Sequence, residues 1–331
     1  MADDRINIKT LSRLIGVAPS TVSRVLSGKA KQCRIAAETE AKVMAKAREL
    51  GFRPNYFAHS LNTGKTFNIG LVMANKIDAF LGTIIEGVES RLRNTEYQMV
   101  LATCENNIEL EQAELSRMLY RQVDGIIIYP SAPAEDNTVQ QYYLKNIVEQ
   151  NIPMVIIGRD EHINVDKVLF SDYEAGKNAA LAFLAKECRC FGAVTMPECS
   201  SLDKQRIRGY VETLFQHGVK PESIIETTTN GTANEAAVRR LMPVDCLWGI
   251  NTGLILNVVN AMSRFRDVTM LQLRGLGIEP FLDLLPFHIT MQPMPSRQMG
   301  ETAAALLLDQ IGASDKLPPR TVILPWPDLP V

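Results

Sequence analysis

Histidine is scarce in this chain, four in 331 residues, and none stands in an H-E-x-x-H pattern. No G-x-S-x-G elbow occurs either, so no zinc-hydrolase helix and no α/β-hydrolase nucleophile is encoded. The six cysteines give no framework. Only Cys188, Cys190 and Cys199 are neighbours, and they lack both a fourth ligand and the usual zinc spacing. They read as free thiols, with no metal and no cofactor expected. The apolar runs, such as "GIIIYP" and "PMVIIG", fall far below the roughly 20 residues that cross a bilayer. The opening "MADDRINIKT" carries acids where a secretory signal is basic, which predicts a cytoplasmic protein with no membrane partner. Two phosphate-site lookalikes also fail. "GKT" at 64–66 has His59 where a P-loop needs glycine, and "GLGIEP" has Pro280 where a dinucleotide fingerprint needs its third glycine.

Net charge is also nearly absent, at −2, but its distribution is uneven. Residues 1–65 carry twelve Lys/Arg against five Asp/Glu, a net of +7. The remainder carries 23 against 32, a net of −9. A basic head on an acidic body suits contact with a polyanion through the head. The chain is also longer than one ordinary core, so two or three domains are expected.

Three short helices are predicted over residues 1–50. Leu11 and Leu14–Ile15 give one apolar face, Val22, Val25 and Leu26 a second, and Val43, Ala47 and Leu50 a third. Gly51 fits a left-handed residue ending the last of them. A linker follows, "FRPNYFAHSLNTGK", with room for a short helix over 55–61. From Phe67 the pattern becomes α/β. Apolar runs "FNIGLVM", "YQMVLA", "DGIIIYP", "PMVIIG", "KVLFS", "CFGAVTM", "DCLWGI", "VTMLQL" and "RTVIL" alternate with amphipathic segments. Continuous apolar strands between helices imply parallel sheets covered on both faces. So many strands favour two α/β subdomains over one sheet.

The stretch "LSRLIGVAPSTVSRVLSG", 11–28, fits a helix-turn-helix. Gly16 permits the tight reversal, and Pro19 suits the first turn of the second helix. With Val22, Val25 and Leu26 turned inward, Ser20 and Arg24 share the outward face, beside Thr21 and Ser23. Arginine can donate two hydrogen bonds to guanine in the major groove, and small hydroxyls reach phosphates or base edges. The alternative is an ordinary helical hairpin with a solvated arginine.

"IKTLSRLIGVAPSTVSRVLSG" followed by "ETEAKVMAKARELGFRPNYFAHSL" resembles the head of the lactose-repressor/galactose-repressor (LacI/GalR) family of bacterial transcription regulators. The V-S-x-x-T-V-S-R-V signature is intact except for Ala18 in place of Ser, which removes an N-cap. "GKAKQCRI" is similar to the subgroup of fructose and sucrose repressors. The resemblance implies base reading by Pro19, Ser20 and Arg24, and phosphate contacts by Thr21 and Ser23. It also implies a hinge helix bearing Asn55, Ala58 and Leu61, with the leucine wedged into a minor-groove step. The expected domains are a helix-turn-helix head at 1–52, a hinge and linker at 53–66, and a core at 67–331. In the core, 67–171 with 294–323 and 172–293 with 324–331 form two doubly wound parallel-sheet subdomains of periplasmic-binding-protein type.

By the same resemblance an effector cleft lies at the C-terminal strand ends, where open α/β sheets bind ligands. The residues implied are Asp78, Phe80, Tyr129, Ser131, Arg159, Phe170, Asp172, Arg206, Asn251 and Gln292. Three positions that usually carry carboxylates hold Gly158, Thr252 and Gly277, which points to an anionic ligand gripped by Arg159 and Arg206. The partners implied are double-stranded operator DNA and an anionic sugar phosphate or organic acid. A homodimer is expected, because "LPPRTVILPWPDLPV" has five prolines and cannot form the family's tetramerising helix. The competing reading is a small-molecule-binding or enzymatic α/β protein with a head that does not bind DNA.

Overall fold

A computed structural model describes residues 7–52, 56–74, 78–131, 138–159, 162–197, 200–227, 233–277 and 282–327. The chain divides into two compact units, Met1–Thr66 and Phe67–Val331.

The first unit holds α1 (Ile8–Ile15), α2 (Pro19–Leu26), α3 (Ala37–Glu49) and α4 (Tyr56–Thr63). Asn7 caps α1 by accepting from the Thr10 amide at 2.9 Å. Gly16 then takes a left-handed φ of 78°, which turns the chain toward α2. Ala18 provides no side-chain cap for α2, as its substitution for serine predicts. Gly51, at φ 60°, follows α3. Leu11, Ile15, Val22, Val25, Ala30, Val43 and Ala47 form the small core. Leu14 does not join them and is 56% exposed. At 100° per residue Leu11 and Ile15 stack on one face, and Leu14 falls beyond its edge.

The second unit contains two parallel sheets. The first uses β1 (Asn68–Met73), β2 (Gln98–Thr103), β3 (Gly125–Tyr129), β4 (Met154–Ile157), β5 (Asp166–Phe170) and β11 (Thr321–Leu324), in the order β11-β5-β4-β3-β1-β2. The second uses β6 (Phe191–Thr195), β7 (Ser223–Glu226), β8 (Cys246–Gly249), β9 (Gln272–Leu276) and β10 (Ile289–Gln292), in the order β10-β9-β8-β6-β7. All the pairings are parallel. The crossovers are α5 (Ala79–Leu92), α6 (Ile108–Tyr120), α7 (Thr138–Glu149), α8 (Asp172–Ala185), α9 (Ser201–Gln216), α10 (Glu235–Arg239), α11 (Thr252–Met262) and α12 (Ser296–Gly312). Leu324 pairs with Phe170, so the first sheet extends one residue past the boundary expected at 323.

Two strands escaped the sequence reading, β7 and β10. They are the two edges of the second sheet, and each is a four-residue segment, SIIE or ITMQ, in which two residues are polar, too short and mixed to stand out as an apolar run. The run "VTMLQL" also misplaced β9, which begins at Gln272, because Arg274 and Gly275 interrupt the apolar pattern.

One helix pair on each lobe packs at glycines. A Cβ on Gly87 of α5 would overlap the Arg297 carbonyl oxygen of α12, and one on Gly300 would overlap that of Ile84. Gly176 of α8 and Gly209 of α9 stand in the same relation to the carbonyls of Arg206 and Tyr173. Backbone cannot yield as a side-chain tip can, so Gly176→Ala should destabilise the core by at least about 1–3 kcal/mol in urea unfolding. Gly82→Ala, in α5 with open space at its Cβ, should instead stabilise by about 0.5–1 kcal/mol. Equal shifts for the two variants would contradict the close helix contact.

Candidate functional sites

In the head, α2 buries Val22 and Val25 and thereby turns its other side outward. Pro19, Ser20 and Arg24 are exposed, while Thr21 and Ser23 are half-buried beside them. Among the described residues the Arg24 side chain makes no ion pair, which leaves all its donors available. Leu61 of α4 is 84% exposed, an unusual setting for a leucine. Tyr56 of the same helix donates its hydroxyl proton to the Thr66 carbonyl. Asn55 and the side chain of Ala58 lie outside the described residues.

In the core, parallel strands place every C-terminal end on the same side of a sheet. Tyr129 ends β3, Phe170 ends β5 and Gln292 ends β10. Arg159 follows β4 through Gly158, whose φ is 79°. The Phe80 ring meets Tyr129 edge-on at 6.0 Å and Phe170 at 6.2 Å. Phe170 in turn meets Trp326 at 5.6 Å. Trp326, absent from the sequence reading, donates its indole N–H to the Ser171 carbonyl at 2.8 Å. Its surroundings in sequence, Pro-Trp-Pro, look like an unstructured tail, so spacing offered no signal for it.

Arg206 is 8% exposed and donates from Nε to Asp172 Oδ1 at 2.7 Å. A second donor reaches the Ile250 carbonyl at 3.4 Å, and Asp203 lies 3.7 Å from Nη1. The guanidinium also stands 5.9 Å from the Trp326 ring centre. Burial pushes the Asp172 carboxyl up, and Arg206 opposes the rise. Arg206 is therefore engaged in a buried ion pair through Nε, with its other donors only partly used. The Arg159 guanidinium lies 5.9 Å from the Tyr129 ring centre, its Nε is buried without a partner, and among the described residues it makes no ion pair. Burial raises the Tyr129 phenol, with Arg159 and Arg206 acting against it.

Ser131 is fully buried. Its amide donates to Glu111, its carbonyl accepts from Gln140 at 3.0 Å, and its hydroxyl has no partner. Gln292 Nε2 is likewise buried and unpaired. Asp78 and Asn251 are exposed helix caps, accepting from the amides of Leu81 at 2.8 Å and Gly253 at 2.7 Å. The glycines at the two positions lacking a carboxylate have local reasons. A Cβ on Gly158 would overlap the Tyr129 ring, and Gly277 sits at φ 121°. Thr252, the third such position, donates its hydroxyl to the Leu276 carbonyl at 2.8 Å.

A cavity of about 300 Å³ lies elsewhere, at the opposite ends of β4 and β5, between Pro153, Asp166, Gln310 and Lys316. Its one buried acid, Asp166, is already bonded to Arg320 and Gln310. No helix among the described residues is long and apolar enough to cross a membrane.

Comparison with known proteins reaches both units. Residues 7–55 match the family described as bacterial regulatory proteins, lacI family. Residues 66–245 match periplasmic binding proteins and the sugar binding domain of the LacI family. The catabolite repressor/activator of Escherichia coli (strain K12) is 30% identical over 236 residues, 71% of this chain and 68% of that protein. The fructose operon regulatory protein of Vibrio cholerae is 24% identical over 320 residues, 92% of this chain and 94% of that one. The fold is shared with the lac repressor dimer bound to operator and anti-inducer, at TM-score 0.79 and 19% identity over 97% of both chains. It is also shared with the Cra dual regulator of Pseudomonas putida in complex with fructose 1-phosphate, at TM-score 0.66 and 18% identity over 79% of this chain and 97% of that one. An N-terminal helix-turn-helix and two parallel-sheet lobes of periplasmic-binding-protein type, with the matches over both, place this chain in the LacI family of bacterial regulatory proteins, as a DNA-binding transcriptional regulator and not an enzyme.

Proposed function

We propose that the protein is a homodimeric, cytoplasmic repressor of a pseudo-palindromic operator, and that a sugar phosphate bound between its two lobes sets its affinity for DNA. The observation that carries the effector reading is the set of buried, unpartnered polar atoms at the strand ends: Arg159 Nε, Ser131 Oγ and Gln292 Nε2. Buried polar groups are nearly always bonded, so such atoms mark where a ligand's oxygens belong. Arg159 supplies the charge, and Phe80 and Trp326 supply apolar faces for a sugar ring. The fructose operon regulator among its relatives, and a structural neighbour that holds fructose 1-phosphate, make that compound the first to test. In the head, Pro19, Ser20 and Arg24 read bases, Thr21 and Ser23 hold phosphates, Leu61 is the minor-groove wedge, and Asn55 and Ala58 take part in the same hinge contact. In the core Asp78, Phe80, Tyr129, Ser131, Arg159, Phe170, Asp172, Arg206, Asn251 and Gln292 surround the effector.

DNA binding should be strongly electrostatic. With about six phosphates neutralised per dimer, log K falls against log salt with a slope of about −5. A slope near zero, or full binding by a chain beginning at Phe67, would overturn the assignment to the head. Arg24→Ala should cost about 1–3 kcal/mol per half-site and relax one operator position. Equal loss on every sequence would make Arg24 a phosphate contact instead.

Leu61→Ala should weaken operator binding far more than binding to random DNA, since a wedge acts only on bent DNA. Parallel losses in a competition assay would reject the wedge.

For the effector, fructose 1-phosphate at a hundred times its dissociation constant should add about 2.7 kcal/mol of stability in a thermal-shift measurement. Arg159→Ala should abolish that shift while leaving the unliganded melting point nearly unchanged. Stabilisation by neutral fructose but not by its phosphate would reject the anionic ligand.

A further inference from the structure

The second lobe joins three groups that lie far apart in sequence. Cys188 stands in the turn between α8 and β6, and Asp245 and Cys246 open β8. The two sulfurs and a carboxylate oxygen of Asp245 all lie within 4.8 Å of one another. Backbone contacts hold them there. Asp245 accepts from the amides of Arg189 at 2.9 Å and Cys190 at 3.1 Å, and the Cys188 amide donates to the Phe183 carbonyl at 3.2 Å. Each carboxylate oxygen keeps a lone pair after accepting one N–H. Zinc with bonds of about 2.3 Å to sulfur needs neighbouring ligands about 3.8 Å apart, a spacing inside the 4.8 Å that bounds these three atoms.

A second observation points to the same place. Arg274 of β9 is 5% exposed, its Nη1 has no hydrogen-bond partner, and among the described residues it makes no ion pair. Its guanidinium lies 5.9 Å from the ring centre of Phe183, the residue whose carbonyl holds the Cys188 amide. An unpaired buried cation is costly.

We propose that Cys188, Cys246 and Asp245 form a binding site for a thiophilic divalent cation, zinc by its ligand set, that clasps the turn before β6 to the start of β8. Two thiolates and a carboxylate match such an ion, and water completes the tetrahedron. Binding displaces one proton from each thiol and changes no oxidation state. Two thiolates, one carboxylate and Zn²⁺ sum to −1, which the Arg274 guanidinium balances. Cys188 and Asp245 are half-buried, which gives the ion a way in. The site lies at the N-terminal ends of β6 and β8, away from the effector residues at the C-terminal ends, so its role is stabilisation of the lobe.

The test uses the full chain, reduced and stripped with a chelator, and the metals alone. One equivalent of Co²⁺ should give a thiolate-to-metal charge-transfer band, displaced by one equivalent of Zn²⁺. Zinc should remove two thiols per chain from reaction with a chromogenic disulfide and raise the melting temperature. Cys188→Ser and Cys246→Ser should each abolish the band, and Cys33→Ser should retain it. No band and no protected thiols in the unaltered protein would overturn the proposal, whether or not the serine variants fold. So would a band that survives in both serine variants, or two thiols lost only on mild oxidation and recovered with dithiothreitol, which would make the pair a redox couple.

Discussion

The core depends on one ion pair. Arg206 and Asp172 meet at 2.7 Å out of contact with water, the acid at the first turn of α8 and the base within α9. Removing one partner of such a pair costs about 3–5 kcal/mol, because the other charge stays buried and unpaired. The pair ties α8 to α9, whose close crossing Gly176 and Gly209 permit. Arg206 also reaches the Ile250 carbonyl past β8 and the Trp326 ring past β11. A single guanidinium thus touches α8, the second sheet and the chain leaving the first sheet.

Most of the architecture is visible in the sequence because its signals are local. Gly16, Pro19 and Gly51 dictate backbone conformations wherever they stand, and the spacing of Val22 and Val25 defines an inner face without reference to anything distant. The interior strands of a parallel sheet are apolar on both faces, so they stand out. The short strands β7 and β10 do not, since two of the four residues in each are polar. Leu14 shows the limit of pattern reading: apolar character suggested burial, and helix geometry placed it outside.

The sites were legible only in part, for a different reason. Strand ends can be located from sequence, so Tyr129, Phe170 and Gln292 could be placed. What each side chain does depends on partners far along the chain. Arg206 reads as a ligand contact until Asp172 is found beside it. Trp326 reads as tail until its indole is seen bonded to Ser171. Gly158 reads as a lost carboxylate until the Tyr129 ring is found filling the space a side chain would need. The proximity of Cys188 and Cys246 belongs here too: C-x-C spacing suggested nothing, because Asp245 and Cys246 come from the next strand over.

An effector changes DNA affinity only if it binds two arrangements of the protein unequally. A ligand held by one lobe alone is indifferent to how the lobes are set and shifts nothing, however tightly it binds. On the proposed reading, the unpartnered atoms meet this requirement by their distribution. Arg159 and Ser131 belong to the first sheet's strand ends, and Gln292 to the second's. A ligand that bonds all three joins the lobes in one relative setting and has no equivalent in any other. The charge of the core adds a constraint. At a net of −9 it is repelled by phosphate at every setting, so the effector works against a body that contributes no affinity of its own, and the +7 head supplies the attraction to DNA. On the proposed reading, control lies in whether the head is presented to the groove, and a modest preference of the ligand for one lobe setting, about 1–3 kcal/mol, is enough to change operator affinity 5- to 150-fold.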